Sequence, residues 1–323
     1  MPPKLPVRRR ARSAGPRPPR TPRIVVVGDL MVDVVLAPSR AMEVGTDVPG
    51  RVALRQGGSA ATTARWLARL GARSTLVCAV GRDHEGRELV SALEDDGVRV
   101  RAVRVAGERT GRIGVVVAPG GERSFVADRA AADRLTPEDL SEGTFRVDLI
   151  HLPAYSLLGE PLGLAGRRAI ELARAGGALV SLDLSSVAPL LADGRRAAVR
   201  LVREAAPDVL FATRVEAEAL AGGHDATRLG ELAALVVIKH GRSGASVLAD
   251  SASGRLAFDV ATAPLEATDT TGAGDAFDAG FLVAWVAADA DARLRPATLR
   301  RAVLAAHRAA ARQLSTVPRE LAL

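Results

Sequence analysis

The chain has 323 residues, 48% hydrophobic but only 3% aromatic, so it can bury a large core made chiefly of Ala, Val and Leu. Its formal charge is +7, yet eight basic residues and no acids fall between Met1 and Arg23; the remaining body is near neutral, which leaves nucleic-acid binding through the body without electrostatic support. No apolar run reaches the roughly 18 residues of a bilayer span, and a single cysteine, Cys78, rules out an intrachain disulfide and suits a cytoplasmic protein.

Residues 1–22 are rich in Pro and Arg and cannot bury enough apolar surface to fold, so they read as a disordered basic tail. A folded body is expected over 23–318, with a short C-terminal tail at 319–323. IVVVGDL, Ile24 to Leu30, predicts a buried parallel strand and its exit loop. After Gly57-Gly58, SAATTARWLARLG has apolar residues at helical spacing and closes on Gly71. STLVCAVG, from Ser74, is a second buried strand, and a helix is expected near Glu85–Asp96. This alternation is the doubly wound α/β pattern, a mostly parallel sheet flanked by helices.

The period then changes. VRVRAVRV, RIGVVVAP and RSFVAD, between Val98 and Asp128, alternate as strands, the last two joined by Gly120-Gly121. With Val48 to Arg55 they are expected to form a small β-sheet lid, covering about 34–55 and 98–130. From Val147 the α/β rhythm returns. Strands are expected in DLIHLPAY, ALVSLDL, DVLFA and LVVIKHG, with helices near Pro161–Ala175, Arg195–Ala205 and from Val215. GASVLAD and GRLAFDV predict a hairpin around Ser251–Gly254. Two Ala-rich helices are expected near Ala273–Ala290 and Pro296–Leu314.

Chemistry concentrates where glycines meet helix starts. In DTTGAGDAF, Asp269 to Phe277, a loop runs straight into an apolar helix. The first turn of a helix carries free N–H groups and the positive end of its dipole. Glycines let that backbone approach an anion, so Gly272-Ala273-Gly274 can cradle a phosphoryl group. Asp275 in the first turn can accept a proton from an attacking hydroxyl, as phosphoryl transfer requires. An ordinary capped helix would explain the same residues. A second group, Asp29 and Asp33 with Gly57-Gly58, places carboxylates at the carboxyl end of the sheet opposite a glycine-lined pocket suited to a polyol; a capped turn and a plain loop are the alternative. In VVIKHGRSGASV, Gly241 and Gly244 either expose backbone to a nucleotide or make a tight turn.

Together these segments resemble the ribokinase-like (PfkB) carbohydrate kinases, from about Arg23 to Leu314. The signature D-T-x-G-A-G-D-x-F stands at Asp269–Phe277. Gly57 to Gly71 matches the Gly-Gly and Ala-rich helix of the other signature. Gly28 with Asp33, GRDHEG at Gly81–Gly86 and KHGRSGA at Lys239–Ala245 match further common segments. The resemblance implies that Asp275 is the catalytic base and that Gly272, Ala273 and Gly274 form the anion hole. It places Asp33, Gly57, Gly58 and Thr62 at a small sugar, and Lys239, Gly241 and Gly244 at ATP. Thr213 and Glu216 stand where the family has N-x-x-E, which organises Mg2+ and phosphate, with Glu216 acting on the metal through water. Asp269 and Thr271 stand where members bind a monovalent cation such as K+. The lid is expected to exclude water on closing and to form a homodimer interface.

The departures share a theme: the chain contains no asparagine. Thr62 and Thr213 replace expected Asn residues, and His307 replaces an Asn near the adenine. Thr keeps a hydroxyl but loses the amide's paired donor and acceptor. The C-terminal RQLSTVPRE also lacks the usual Gly-Ala, against the cation site. The expected activity is ATP-dependent phosphorylation of a sugar hydroxyl. A nucleoside kinase of the same family is the alternative, although only Phe125 and Tyr155 offer aromatic surface for a base. A catalytically weak sugar sensor is another.

Overall fold

In Arg23–Val27 (β1) every residue from Ile24 onward is buried, as a strand covered by helices on both faces must be. A computed structural model describes residues 20–118, 122–251, 254–263, 265, 267, 269–317 and 319–321. Most of the expected tail, the Gly120-Gly121 turn, the tip of the second hairpin and the last two residues lie outside the described residues. After β1 come β2 (Met31–Pro38), β3 (Gly50–Gly57), α1 (Ser59–Arg69), β4 (Arg73–Gly81), α2 (His84–Asp95), β5 (Arg99–Val105), β6 (Arg112–Val117) and β7 (Arg123–Asp128). Then follow β8 (Leu149–Pro153), α3 (Leu162–Ala175), β9 (Leu179–Asp183), α4 (Val187–Leu190), α5 (Arg195–Ala205), β10 (Val209–Thr213) and α6 (Arg214–Ala221). The chain closes with β11 (Leu235–Lys239), β12 (Ala245–Ser251), β13 (Gly254–Val260), α7 (Ala273–Val286) and α8 (Pro296–Leu314).

Nine strands form one sheet in the order β13-β12-β11-β10-β9-β8-β1-β4-β5. It is parallel except for the last two strands at one end, β12 and β13. Alternate residues of one strand face opposite cores. Ile24 and Val26 pack with α1, α7 and α8, whereas Val25 and Val27 pack with α3, α5 and α6. Strand order reverses at β1, between β4 and β8, and an open α/β sheet binds ligands in the crevice at such a switch point.

A second sheet, in the order β3-β2-β6-β7, is present, but its membership corrects the sequence reading in two places. Residues 98–105 do not belong to it. After α2, Gly97 takes a left-handed φ of 84° and returns the chain beside β4, where β5 pairs parallel with Thr75–Gly81. An edge strand of a helix-covered sheet has one wet face, so its Val/Arg alternation mimics that of a lid strand. Conversely, the small sheet starts earlier than the expected residue 34: Met31–Pro38 is β2 and pairs with both β3 and β6. Asp33 therefore sits on a strand of the small sheet. The first Ala-rich helix also stops at Val286, short of the expected Ala290.

Candidate active site

Three glycine-bearing turns meet above the carboxyl ends of β1, β9 and β11. At the first, Asp29 accepts the Ala60 amide at 3.0 Å through Oδ1 and Arg129 Nη1 at 3.1 Å through Oδ2. Its carbonyl accepts the Ala61 amide. Asp29 thus caps α1, whose N-cap residue Gly58 has no side chain to do so. Gly58 has φ 98°, and a Cβ there would lie 2.5 Å from the Asp29 carbonyl oxygen; no other residue fits that approach. A Cβ on Gly57 would meet Asp33 Oδ1 at 1.9 Å, so the buried Asp33 carboxylate lies directly over the Gly-Gly turn. Burial, then the charge of Asp29, pushes the Asp33 carboxyl up to about 7. Thr62 donates its hydroxyl to the Gly58 carbonyl at 2.9 Å and turns its methyl toward Gly272.

At the second turn Gly272 is left-handed, φ 73°, and α7 begins. The Ala273 amide donates to the Thr270 carbonyl at 3.3 Å. Among the described residues, the Gly274 and Asp275 amides find no acceptor within the protein. Asp275 is half-buried and its Oδ1 accepts the Ser59 hydroxyl at 2.6 Å. Burial raises its carboxyl to about 7 against that hydrogen bond, with Asp183 adding to the rise. A base with this value is matched to proton transfer near neutral pH.

Beneath the cradle lies a buried ionic cluster. Lys239 Nζ donates to Asp183 Oδ1 at 3.1 Å and to both oxygens of Asp278 at 3.2 Å. A Cβ on Gly274 would be 3.5 Å from that ammonium. Burial opposes the charge on Lys239, but Asp183 and Asp278 outweigh it and hold the ammonium protonated. Asp278 is raised well above the usual carboxylate range by burial, against the pull of Lys239. Glu216 is raised too, by burial and by Asp183. Three acids face one ammonium, and the raised values of Asp278 and Glu216 mean that protons and charge are shared across the cluster. Among the described residues, no group of three or more His, Cys, Asp or Glu side chains could hold a metal by itself.

Thr213 and Glu216 form a capping box at the start of α6. The Thr213 hydroxyl accepts the Glu216 amide at 3.3 Å, and Glu216 Oε2 accepts the Thr213 amide at 2.7 Å. Thr does here what Asn does as an N-cap. At the third turn His240 N–H donates to the Gly244 carbonyl, closing β11 onto β12. A Cβ on Gly244 would strike the Val260 carbonyl at 2.2 Å, whereas Gly241 has open space around it. Gly244 is therefore required by the turn itself. His307 packs its ring against Phe277, centroids 5.5 Å apart, and both of its nitrogens are buried without a partner.

Asp269 and Thr271 are occupied by protein donors. Asp269 pairs with Arg55 and Arg123, each at 3.0 Å, and accepts the Thr271 amide at 2.9 Å. The Thr271 carbonyl accepts Gln313 Nε2 at 2.9 Å. Sequence reasoning passed over Ser59, Asp183, Asp278, Arg55, Arg123, Arg129 and Gln313. Arg55, Ser59 and Asp278 only flank a glycine motif, and each of the seven is placed by a partner more than 30 residues away. The one available signal was Ser59, which directly follows Gly57-Gly58. A cavity of about 440 Å³, lined by Arg214, His240, Ser246 and Asp259 among others, opens beside α6, on the face of the sheet away from α7.

Residues 21–317 match the model of the pfkB family carbohydrate kinases. Fructokinase-2 of Solanum habrochaites is 30% identical over 272 residues, 80% of each chain. The crystal structure of adenosine kinase from Sinorhizobium meliloti superposes with a TM-score of 0.79 at 22% identity, covering 94% of this chain and 97% of that one. A putative ribokinase II from E. coli, solved in complex with ATP and Mg2+, gives a TM-score of 0.76 at 24% identity, over 92% and 94%. At those identities the two structures speak to the fold.

Proposed function

The chain belongs to the pfkB family of carbohydrate kinases, and we propose that it transfers the terminal phosphoryl group of ATP to a hydroxyl of a small sugar with Asp275 as general base. One observation carries this reading: a carboxylate tuned to about 7 stands beside two unpaired amides at a helix N-terminus. The amides of Gly274 and Asp275, with the dipole of α7 behind them, neutralise charge on the phosphoryl group in flight. Asp275 takes the proton of the attacking hydroxyl, and Ser59 holds that carboxylate in register. Lys239 braces the cradle from below.

Asp33 and the Gly57-Gly58 turn accept and shape the sugar hydroxyls. Gly241, open above β11, faces ATP beside Lys239, and His307 lies near the adenine. The E. coli neighbour solved with ATP and Mg2+ supports the same nucleotide and metal here, with Glu216 and Asp183 reaching the ion through water. Bound Mg2+ would offset charge on the ATP phosphates. The small sheet acts as the lid. Asp33, Arg55 and Arg123 share one of its faces by register, and closing that face excludes water. Its other face carries Val52 and Val126, 65% and 71% exposed, which supports a homodimer through the lid. Among the described residues no helix is long and apolar enough to cross a membrane. The same proposal assigns the enzyme to the cytoplasm, supported by its single, buried free thiol.

The test is ATP consumption across a panel of sugars and nucleosides with Mg2+. At least one sugar should be phosphorylated, and Asp275→Asn should lower kcat by about a thousandfold or more while ATP still binds. Turnover by Asp275→Asn within tenfold of wild type would remove the assigned base.

A further inference from the structure

We propose that guanidinium groups of Arg55 and Arg123, with the Gln313 amide, stand in this chain where relatives are expected to seat a monovalent cation, so that turnover needs no potassium or sodium. The inference rests on the kinase reading of the Asp275 cradle. A potassium-type site works by turning several oxygen lone pairs inward to replace the ion's water shell. In this chain the oxygens of that loop face donors instead. Asp269 Oδ2 meets Arg55 Nη1 at 3.0 Å, and Oδ1 meets Arg123 Nη2 at 3.0 Å. Oδ1 also accepts the Thr271 amide at 2.9 Å. The Thr271 carbonyl is taken by Gln313 Nε2 at 2.9 Å.

The Gln313 orientation is chemically fixed. Trp66 Nε1, which can only donate, reaches Gln313 Oε1 at 2.9 Å, so the amide nitrogen must be the end that faces Thr271. Neither guanidinium can give up its charge. An added cation at this loop would meet two fixed positive groups, a carboxylate already paired through both oxygens and a Thr271 carbonyl already taken by an amide. What a bound ion would do for the loop, the arginines do: they hold Asp269 three residues before the left-handed Gly272 that opens the cradle.

The two arginines come from the two edge strands of the small sheet, β3 and β7, and Arg123 Nη1 also reaches the Thr270 hydroxyl at 3.2 Å. Closing the sheet and ordering the phosphoryl cradle thus become one event. Arg55 and Arg123 are positioning residues, acting through Asp269 on the amides of α7.

The experiment compares wild type and an Arg55→Met/Arg123→Met double variant in choline chloride and in KCl at equal ionic strength. Wild-type kcat and KM for ATP should agree between the salts to within about twofold. The double variant should lose about tenfold or more in kcat in choline and regain most of it in KCl, because the vacated carboxylate can now take an ion. A wild-type rate that climbs severalfold with KCl overturns the inference, as does a double variant that keeps its rate in choline or that KCl fails to restore. If no sugar or nucleoside is phosphorylated in either salt, the kinase reading fails, and the melting temperature of the wild-type protein still decides this inference. An ion that binds the native state raises it, so a rise of several degrees from choline to KCl overturns the inference and an unchanged value supports it.

Discussion

In the proposed mechanism Asp275 is the residue on which the chemistry turns, and its pH behaviour follows from burial. A base that titrates near 7 should give kcat/KM a rising limb through neutral pH with unit slope. Ser59 donates to the ionised form and so holds that value down. Ser59→Ala should move the limb to higher pH, read from kcat/KM against pH; a limb that stays in place or moves down would remove Ser59 from this role. The same shift has a stability sign. The ordinary aspartate value is 3.8; between it and about 7 the folded state keeps a proton that the unfolded chain has lost. Stability from this group is therefore full below the lower value and lost as pH rises through the upper one. Asp275→Asn carries no such cost and should melt a few degrees above wild type at pH 8, with the gap closing toward pH 4. An equal gap at both pH values would mean that the carboxylate is not buried at an energetic cost.

At the scale of elements, turns and caps decide where each group stands. α7 starts on a left-handed glycine with no side-chain cap, which leaves its first amides available. α6 starts on a closed capping box, which ties up Thr213 and orients Glu216. Thr213→Ala should cost about 1 kcal/mol, seen as a lower urea midpoint at unchanged m-value, and Thr213→Ser should restore it. The capping box was legible as T-x-x-E in TRVE, yet the sequence reading treated it as a degraded ligand motif. β5 shows the opposite failure. Its alternation is genuine, but alternation reports one wet face and not which sheet owns the strand.

For the whole molecule, the small sheet is the proposed lid over the crevice at the strand reversal beside β1, and its outer face exposes Val52 and Val126. If that face joins two copies, Val126→Glu should convert a dimer to a monomer in sedimentation velocity; a wild-type monomer at micromolar concentration would remove the interface. The α/β class, the buried parallel strands and the start of α7 at Gly272 with Asp275 in its first turn were all determined by the amino-acid sequence alone. Each depends on contiguous residues: a β-branched run, a glycine turn, the first turn of a helix. Which carboxylates surround Lys239, which two of the chain's many arginines reach Asp269, and which sheet takes residues 98–105 were decided only in the tertiary structure. Those pairings join residues as far apart as Arg55 and Asp269, and nothing local distinguishes one arginine from another until the fold brings a particular pair of strands over the loop.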